Sequence, residues 1–223
     1  MSKLLHERFE YWFNHPRYSL LLVGLLLMIV LPALNPNWRL GGLMLQISYG
    51  LVLLLAALFT TTNYQELLGL FGLGLVNYSI FLAWDQESAW LSWIGGLTTL
   101  LFFSYVFRKL LLYLLRERQV TVNTIYASIC GFLVLGVVAA PLLLLIQQRI
   151  PTAFGQAEPL EFYDLLYFSF ITLTTVGFGD ITPGHQLIKA VTLIIAIAGQ
   201  LYLTFVVAII IGKYLAEEQS KPS

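Results

Sequence analysis

The feature that most constrains the fold is a series of six apolar blocks, each close to the length that a helix needs to cross a lipid bilayer. The hydrocarbon core is about 30 Å thick, so a spanning helix takes about 20 apolar residues. Only 11% of the residues are charged, too few to cover the surface of a soluble domain. We therefore predict an all-α membrane protein with six transmembrane helices, at about 17–34, 42–59, 64–84, 90–107, 123–147 and 187–213.

The residues between the fifth and sixth blocks differ in character from the spans on either side. A loop with proline and glycine, RIPTAFGQAEP, leads into LEFYDLLYFSFITLTT, a run too short to cross a bilayer alone. Pro159 precedes this run, and Glu161 and Asp164 lie in its first turn, as is typical of a helix N-terminus. We predict a re-entrant helix over 160–174, followed by an irregular segment over 175–180.

Lysine and arginine residues lie mostly on one side of the predicted topology. With the N-terminus inside and six spans, nine of them fall on the inner side and three on the outer side. Because cytoplasmic loops carry the excess of basic residues, both termini are predicted to be cytoplasmic, in a plasma membrane or, for a prokaryotic source, the bacterial inner membrane. Four tryptophans fall at the predicted outer interface, as in an aromatic belt: Trp38, Trp84, Trp90 and Trp93.

The run TLTTVGFGD, over 172–180, is the most specific stretch of the chain. An irregular backbone inside a bilayer is tolerated only where protein or water satisfies its peptide groups. Gly177 and Gly179 adopt left-handed angles without a Cβ clash, so successive carbonyls can face one side of an extended strand. We expect Val176 and Phe178 to point away and pack behind it. A carbonyl column above a threonine hydroxyl suits a bare monovalent cation, and symmetry must supply the remaining ligands.

The sequence TTVGFGD resembles the selectivity filter of the potassium channel family, and about 123–213 resembles that family's helix–pore loop–helix module. The resemblance implies that Gly179 shapes the outer mouth, that Asp180 lies behind the filter and that Thr174 ends the pore helix. It implies no cofactor, and K⁺ as the permeant ion, coordinated by Thr175, Val176, Gly177 and Phe178.

Several positions depart from the common family pattern. Phe178 stands where most members have tyrosine, and Tyr167 and Phe168 stand where many members have two tryptophans. Ile171 stands where some bacterial members have a glutamate that holds the equivalent of Asp180. We therefore expect a different set of contacts to hold this filter open. Two-pore-domain channels have similar pore helices but two filter segments per chain; this chain has one, which implies a homotetramer with three further copies as partners.

A candidate gate lies in the sixth block. Gly199 follows Asp180 by nineteen residues and matches the family's hinge position. Leu203, Val207 and Ile211 recur at four-residue spacing, so they share one face of a helix. Four copies of this stripe would form a hydrophobic constriction that gates by dewetting.

The fourth block lacks the repeated arginines of a voltage sensor. Residues 90–107 carry no charge, and the first basic residues, Arg108 and Lys109, come at the inner end. Within the second and third predicted spans, Glu66 is the carboxylate that could pair with such cations, and it lies near the boundary of its span. Because each charge that crosses the field contributes about 2.3 kcal/mol per 100 mV, we predict weak or no intrinsic voltage gating. The alternative, that Arg108 and Lys109 cross part of the field, stays open.

These features divide the chain into five parts: an interfacial helix over 1–16, a four-helix sensor-like unit over 17–115, a linker over 116–122, a pore domain over 123–213 and a cytoplasmic tail over 214–223. Within the first unit, Gly69, Gly72 and Gly74 are expected at close helix contacts, and Asn77 is expected to bond to a neighbouring helix. Cys130 lies in an apolar run and is expected to be a buried thiol.

The sequence predicts a passive potassium-selective channel that contacts membrane lipids. The net charge is zero, so no nucleic-acid partner is indicated, and no catalytic motif points to an enzyme or to a soluble substrate. Two alternatives remain: a weakly selective monovalent cation channel and a non-conducting membrane regulatory subunit.

Overall fold

The computed structural model describes residues 17–34, 38–61, 63–82, 89–117, 119–156 and 159–219, and these are helical apart from connections and one isolated β-bridge. The predicted interfacial helix over 1–16 lies outside the described residues, as do Trp84 and Lys221. The helices are α1 (Arg17–Val30, continued by a 3₁₀ helix at Leu31–Leu34), α2 (Trp38–Thr60), α3 (Tyr64–Leu82), α4 (Ala89–Arg116), α5 (Val122–Arg149), α6 (Phe162–Leu173) and α7 (Gln186–Gln219).

Four helices in the described part of the chain are long and apolar enough to cross a membrane, namely α2, α4, α5 and α7. The apolar helices α1 and α6 are shorter, and α3, with 19 residues at the predicted third span, is not among the four. The predicted all-helical, multi-pass membrane protein is therefore confirmed, with four of the six predicted spans meeting these criteria.

The first four helices (the four-helix unit, α1–α4) pack directly on the last three (the C-terminal unit, α5–α7). The most extensive contact is between α4 and α5, which follow each other in the chain. Gly96 makes this approach possible, because a Cβ there would lie 2.7 Å from Leu145. At the C-terminal end of α5, the guanidinium of Arg149 lies 4.8 Å from the ring centroid of Trp93.

A neutral polar cluster lies in the core of the four-helix unit. The Tyr49 hydroxyl on α2 donates to Asn77 Oδ1 on α3 at 2.5 Å and lies 3.0 Å from Thr99 Oγ1 on α4. The amide nitrogen of Asn77 donates to Thr98 and Thr99 of α4 at 3.2 and 3.0 Å. Asn77 therefore bonds to its neighbouring helices, as the sequence predicts.

The three glycines of α3 do not share one role. A Cβ at Gly74 would lie 3.5 Å from the Phe102 ring of α4, which is ordinary contact. At Gly69 and Gly72 a Cβ would meet nothing within 4 Å in the described part of the chain. The expected close helix contacts at these two positions are therefore not made within the described part of the chain, although Leu70 between them is buried.

Candidate functional site

The short helix α6 begins from two side-chain anchors. The Gln147 amide near the end of α5 donates to the Leu160 carbonyl at 2.8 Å and accepts from the Leu160 N–H at 3.1 Å. The Asp164 carboxylate accepts from the Glu161 N–H at 3.1 Å, so it satisfies a backbone donor at the start of α6. The first turn of α6 is thereby fixed against the C-terminal end of α5.

Further along, hydroxyl groups of α6 bond it to helices of both units. Ser169 is buried and donates to the Gly136 carbonyl of α5 at 2.8 Å. A Cβ on Gly136 would overlap the Phe170 ring, so glycine there allows the two helices to approach. The Tyr163 hydroxyl donates to the Ile29 carbonyl of α1 at 2.8 Å. The position of α6 therefore depends on both units.

The backbone after α6 alternates between left-handed and ordinary angles. Thr175 has φ +61°, Gly177 has φ +51° and Gly179 has φ +82°. The glycines were expected to adopt such angles, but a β-branched residue at positive φ is uncommon and strained. Two backbone hydrogen bonds, each 3.0 Å, hold the turn: Thr175 N–H to Thr172 O and Gly177 N–H to Ile171 O.

The side chains between these positions find no cover within their own chain. Val176 is 55% exposed and Phe178 is 72% exposed. The predicted packing of both side chains behind the strand is therefore not made inside a single chain. The Thr174 hydroxyl, just before these residues, donates to the Phe170 carbonyl of α6 at 2.7 Å.

Asp180 follows the left-handed segment and is anchored from two sides. The Tyr167 hydroxyl of α6 donates to its carboxylate at 2.8 Å, and the Gln156 amide donates to its carbonyl at 2.9 Å. The Tyr167 hydrogen bond lowers the pKa of the Asp180 carboxyl, because it stabilises the charged form. Phe168 is buried, with its ring edge-on to Phe154 at a centroid distance of 5.3 Å. Gln156 carries no sequence signal that marks it in advance.

The loop before α6 and the loop before α7 are tied together next to Asp180. Gly155 N–H donates to the Thr182 carbonyl at 3.0 Å, and Gly184 N–H donates to the Ala153 carbonyl at 2.8 Å. The His185 imidazole Nδ1 accepts from the Leu187 N–H at 3.2 Å, at the start of α7. These bonds join the C-terminal end of α5 to the N-terminal end of α7 beside the segment 175–180.

The predicted gate residues lie on α7, apart from this segment. Gly199 is buried against the end of α6, where an added Cβ would overlap the Leu173 carbonyl oxygen. The helix runs through this position without interruption. Leu203, Val207 and Ile211 are 42%, 53% and 53% exposed, on one face of α7.

Comparison with known proteins bears on the segment just described. Residues 121–216 match the family described as "Ion channel", a range that contains α6, the left-handed segment and most of α7. This part of the chain is similar to an ion channel family. The match, together with the two relatives below, confirms the predicted resemblance to the potassium channel family.

Two curated relatives each match part of the chain. It is 30% identical over 67 residues to "Two-pore potassium channel 4" of Arabidopsis thaliana, covering 30% of this chain and 24% of the relative. It is 36% identical over 69 residues to "TWiK family of potassium channels protein 7" of Caenorhabditis elegans, covering 29% and 12%. The chain therefore spans a quarter or less of either relative. No solved structure matches it.

Proposed function

We propose that this protein is a passive, potassium-selective channel whose filter is formed by residues 175–178. The observation that carries the proposal is the alternation of left-handed angles at Thr175, Gly177 and Gly179 directly after a buried short helix. Alternating left- and right-handed residues turn successive peptide planes the same way, so one set of carbonyls lines one side of the strand. Such a row of carbonyl oxygens replaces the hydration shell of a dehydrated cation.

The charges around the segment favour a cation. The C-terminal end of α6, at Leu173, carries the negative end of the helix dipole and leads directly into the filter. The carboxylate of Asp180, stabilised by Tyr167, supplies negative charge near the outer end. In the described part of the chain, no lysine or arginine lies between Arg149 and Lys189, so no permanently charged basic side chain of these loops competes with the ion.

We propose a homotetramer because a single chain leaves the conduction path incomplete. One chain supplies one strand of carbonyls, and closed symmetry supplies the others. Val176 and Phe178 are exposed, and α7 is covered far less than α5, with 22% against 61% of the residues in their apolar stretches buried. Neighbouring copies would cover these apolar surfaces, and the stripe of Leu203, Val207 and Ile211 would face the axis as the gate.

We propose weak or no intrinsic voltage gating from the charges and hydrogen bonds of the four-helix unit. Its α4 helix has no basic residue in the described part before Arg108. Lys109 is paired with Glu66 at 2.6 Å, near the start of α3. The core between α2, α3 and α4 holds neutral hydrogen bonds rather than carboxylates that would receive moving arginines. We propose six spans, with both termini cytoplasmic, and a domain division at the linker over 116–122.

One observation favours a second candidate, a weakly selective monovalent cation channel. Selectivity depends on how firmly the filter backbone is held, and Phe178 offers no hydroxyl for an anchor. Its ring is 72% exposed in the single chain, so most of its support must come from a neighbouring copy.

Ion flux in reconstituted liposomes tests the proposal. We expect K⁺-driven flux and little flux when Na⁺ replaces K⁺. Gly177→Ala should abolish the flux, because alanine is strained at φ +51°, whereas Gly72→Ala, at an open helical position, should leave it intact. Equal K⁺ and Na⁺ flux would favour the weakly selective channel. Val207→Asn adds a polar group to the apolar stripe of α7 and should let water into a closed gate. If this variant also shows no ion flux, the proposal that the protein conducts ions is contradicted.

A further inference from the structure

Two helices from different units meet at their inner ends. The ammonium group of Lys213, near the end of α7, donates to the carbonyls of Leu114 and Glu117 at the end of α4. α4 ends at Arg116, so the Leu114 carbonyl is among the last four of the helix and has no partner within it. The C-terminal end of a helix is also the negative end of its dipole. Lys213 thus supplies both hydrogen bonds and a matching charge.

Beyond this link, α4 and α7 are separated by space rather than by packing. An apolar cavity of about 230 Å³ lies between them and α5. The next contact along the two helices is between the rings of Phe107 and Tyr202, whose centroids are 5.9 Å apart. The residues that line the cavity include Leu111 and Leu114 from α4 and Val206 and Ile209 from α7. The inner end of α7 is therefore held to α4 at its tip, with room to move between the two contacts.

The direction of the link follows from helix geometry. Successive residues of an α-helix are rotated by about 100°, so Lys213 lies about 200° from Ile211 around α7. Lys213 shares its face with Tyr202 and Val206, which are buried, whereas Val207 and Ile211 lie on the exposed face. A pull on Lys213 toward α4 therefore draws the Val207–Ile211 stripe away from whatever it faces.

We propose that Lys213 is a positioning residue of the gate: by binding the C-terminal carbonyls of α4 it holds the inner end of α7 away from the pore axis and favours the open channel. This inference rests on the proposed function, in which the exposed stripe of α7 lines the axis. The four-helix unit then acts as a fixed outer support for α7, rather than as a sensor.

Single-channel recording tests the role of this link. Lys213→Met keeps an apolar side chain and removes the ammonium, so the ratio of open to closed channel should fall about tenfold, as for loss of a hydrogen bond to a charged group. Lys213→Arg retains the donors and should restore most of the ratio. Unitary conductance and K⁺ over Na⁺ selectivity should not change, because the filter is untouched. Lys189→Met, at the exposed outer end of α7, is the matched control.

Hydrogen–deuterium exchange of the full protein in lipid nanodiscs gives a readout that does not depend on conduction. Lys213→Met should raise exchange over 206–215, and Lys213→Arg should not. If neither the wild-type protein nor Val207→Asn carries current, the proposed function fails, and exchange alone decides whether the link holds α7. If the wild-type protein conducts while Lys213→Met leaves the open ratio unchanged or raises it, the positioning role is overturned.

Discussion

Hydrogen bonds that cross between helices differ in the two units: in the core of the four-helix unit they join polar side chains to one another, whereas in the C-terminal unit hydroxyl groups donate to backbone carbonyls. Tyr49, Asn77 and Thr99 form a closed set between three helices. Ser169, by contrast, donates to the Gly136 carbonyl and Tyr163 to the Ile29 carbonyl. The first pattern joins three helices to one another, and the second fixes the position and rotation of the short helix α6.

The two units also differ at their centres. In the four-helix unit the central aromatic side chains Tyr49 and Phe102 are fully buried, although other large side chains such as Tyr64 are exposed. In the C-terminal unit, Phe178 and much of α7 are exposed, and the backbone is strained at Thr175. We therefore expect changes in the core of the first unit to lower stability without altering the filter, and changes in the second unit to alter conduction, at Gly199 together with stability.

The largest effect is expected at the contact between α6 and α7. Gly199→Ala places a Cβ on the Leu173 carbonyl and should destabilise the protein by about 2 kcal/mol, with loss of K⁺ flux. Gly212→Ala on the same helix meets nothing within 4 Å and should stabilise the protein by up to about 1 kcal/mol. Thermal unfolding in detergent measures both. Equal shifts for the two variants would show that α6 and α7 are not in this close contact.

A smaller effect, confined to stability, is expected in the four-helix unit. Asn77→Leu removes the partner of Tyr49 and Thr99 and should lower the unfolding free energy by about 1 kcal/mol, as for polar contacts between membrane helices. Selectivity for K⁺ should be unchanged. Ser79→Ala, whose hydroxyl bonds within its own exposed helix face, is the control. Altered selectivity with normal stability would break the separation between the two units.

A change at the outer mouth should act on conduction and leave stability alone. Tyr167→Phe removes the hydroxyl that donates to the Asp180 carboxylate, while the ring stays in place. Currents recorded under sustained K⁺ flow should decline severalfold faster. Of the two hydrogen bonds that anchor Asp180, only the one from Gln156 then remains. Tyr64→Phe, at an exposed position of α3, should behave like the wild-type protein. An unchanged time course would show that the Tyr167 bond does not support the filter.

The helices and the left-handed glycines follow from the sequence because both depend on local properties. A spanning helix is predicted from an apolar block of about 20 residues, and left-handed angles are predicted from a Gly-x-Gly alternation. Both patterns lie within a short stretch of sequence. The left-handed angle of Thr175 is not predicted in this way, since a β-branched residue adopts it only when surrounding contacts impose it. The Lys213 link and the Gln147 anchor join residues that lie far apart in the chain, so no short stretch contains them.

Glycines show the limit of sequence reasoning most clearly. A helical glycine serves equally as a hinge or as a close-contact position, and the sequence does not distinguish the two. Gly199 is expected at a hinge from its spacing, and the structure places it against the Leu173 carbonyl. Gly69 and Gly72 have the spacing of a packing motif and contact nothing that a Cβ would disturb. The neighbour decides the role, and only the tertiary structure supplies the neighbour.

The smallest effect is expected from external acid. The Tyr167 hydrogen bond lowers the pKa of Asp180 from its usual 3.8. A carboxyl with a lowered folded-state pKa stabilises the fold above its unfolded value, and that contribution is lost as pH falls through the folded value. Flux should therefore not change through this group between pH 7 and pH 5. In Tyr167→Phe the pKa returns upward, so the acid-induced loss should begin at higher pH than in the wild-type protein. Identical acid profiles for the two proteins would show that the outer mouth does not depend on this bond, and the contrast between the two units would then rest on the backbone of the filter alone.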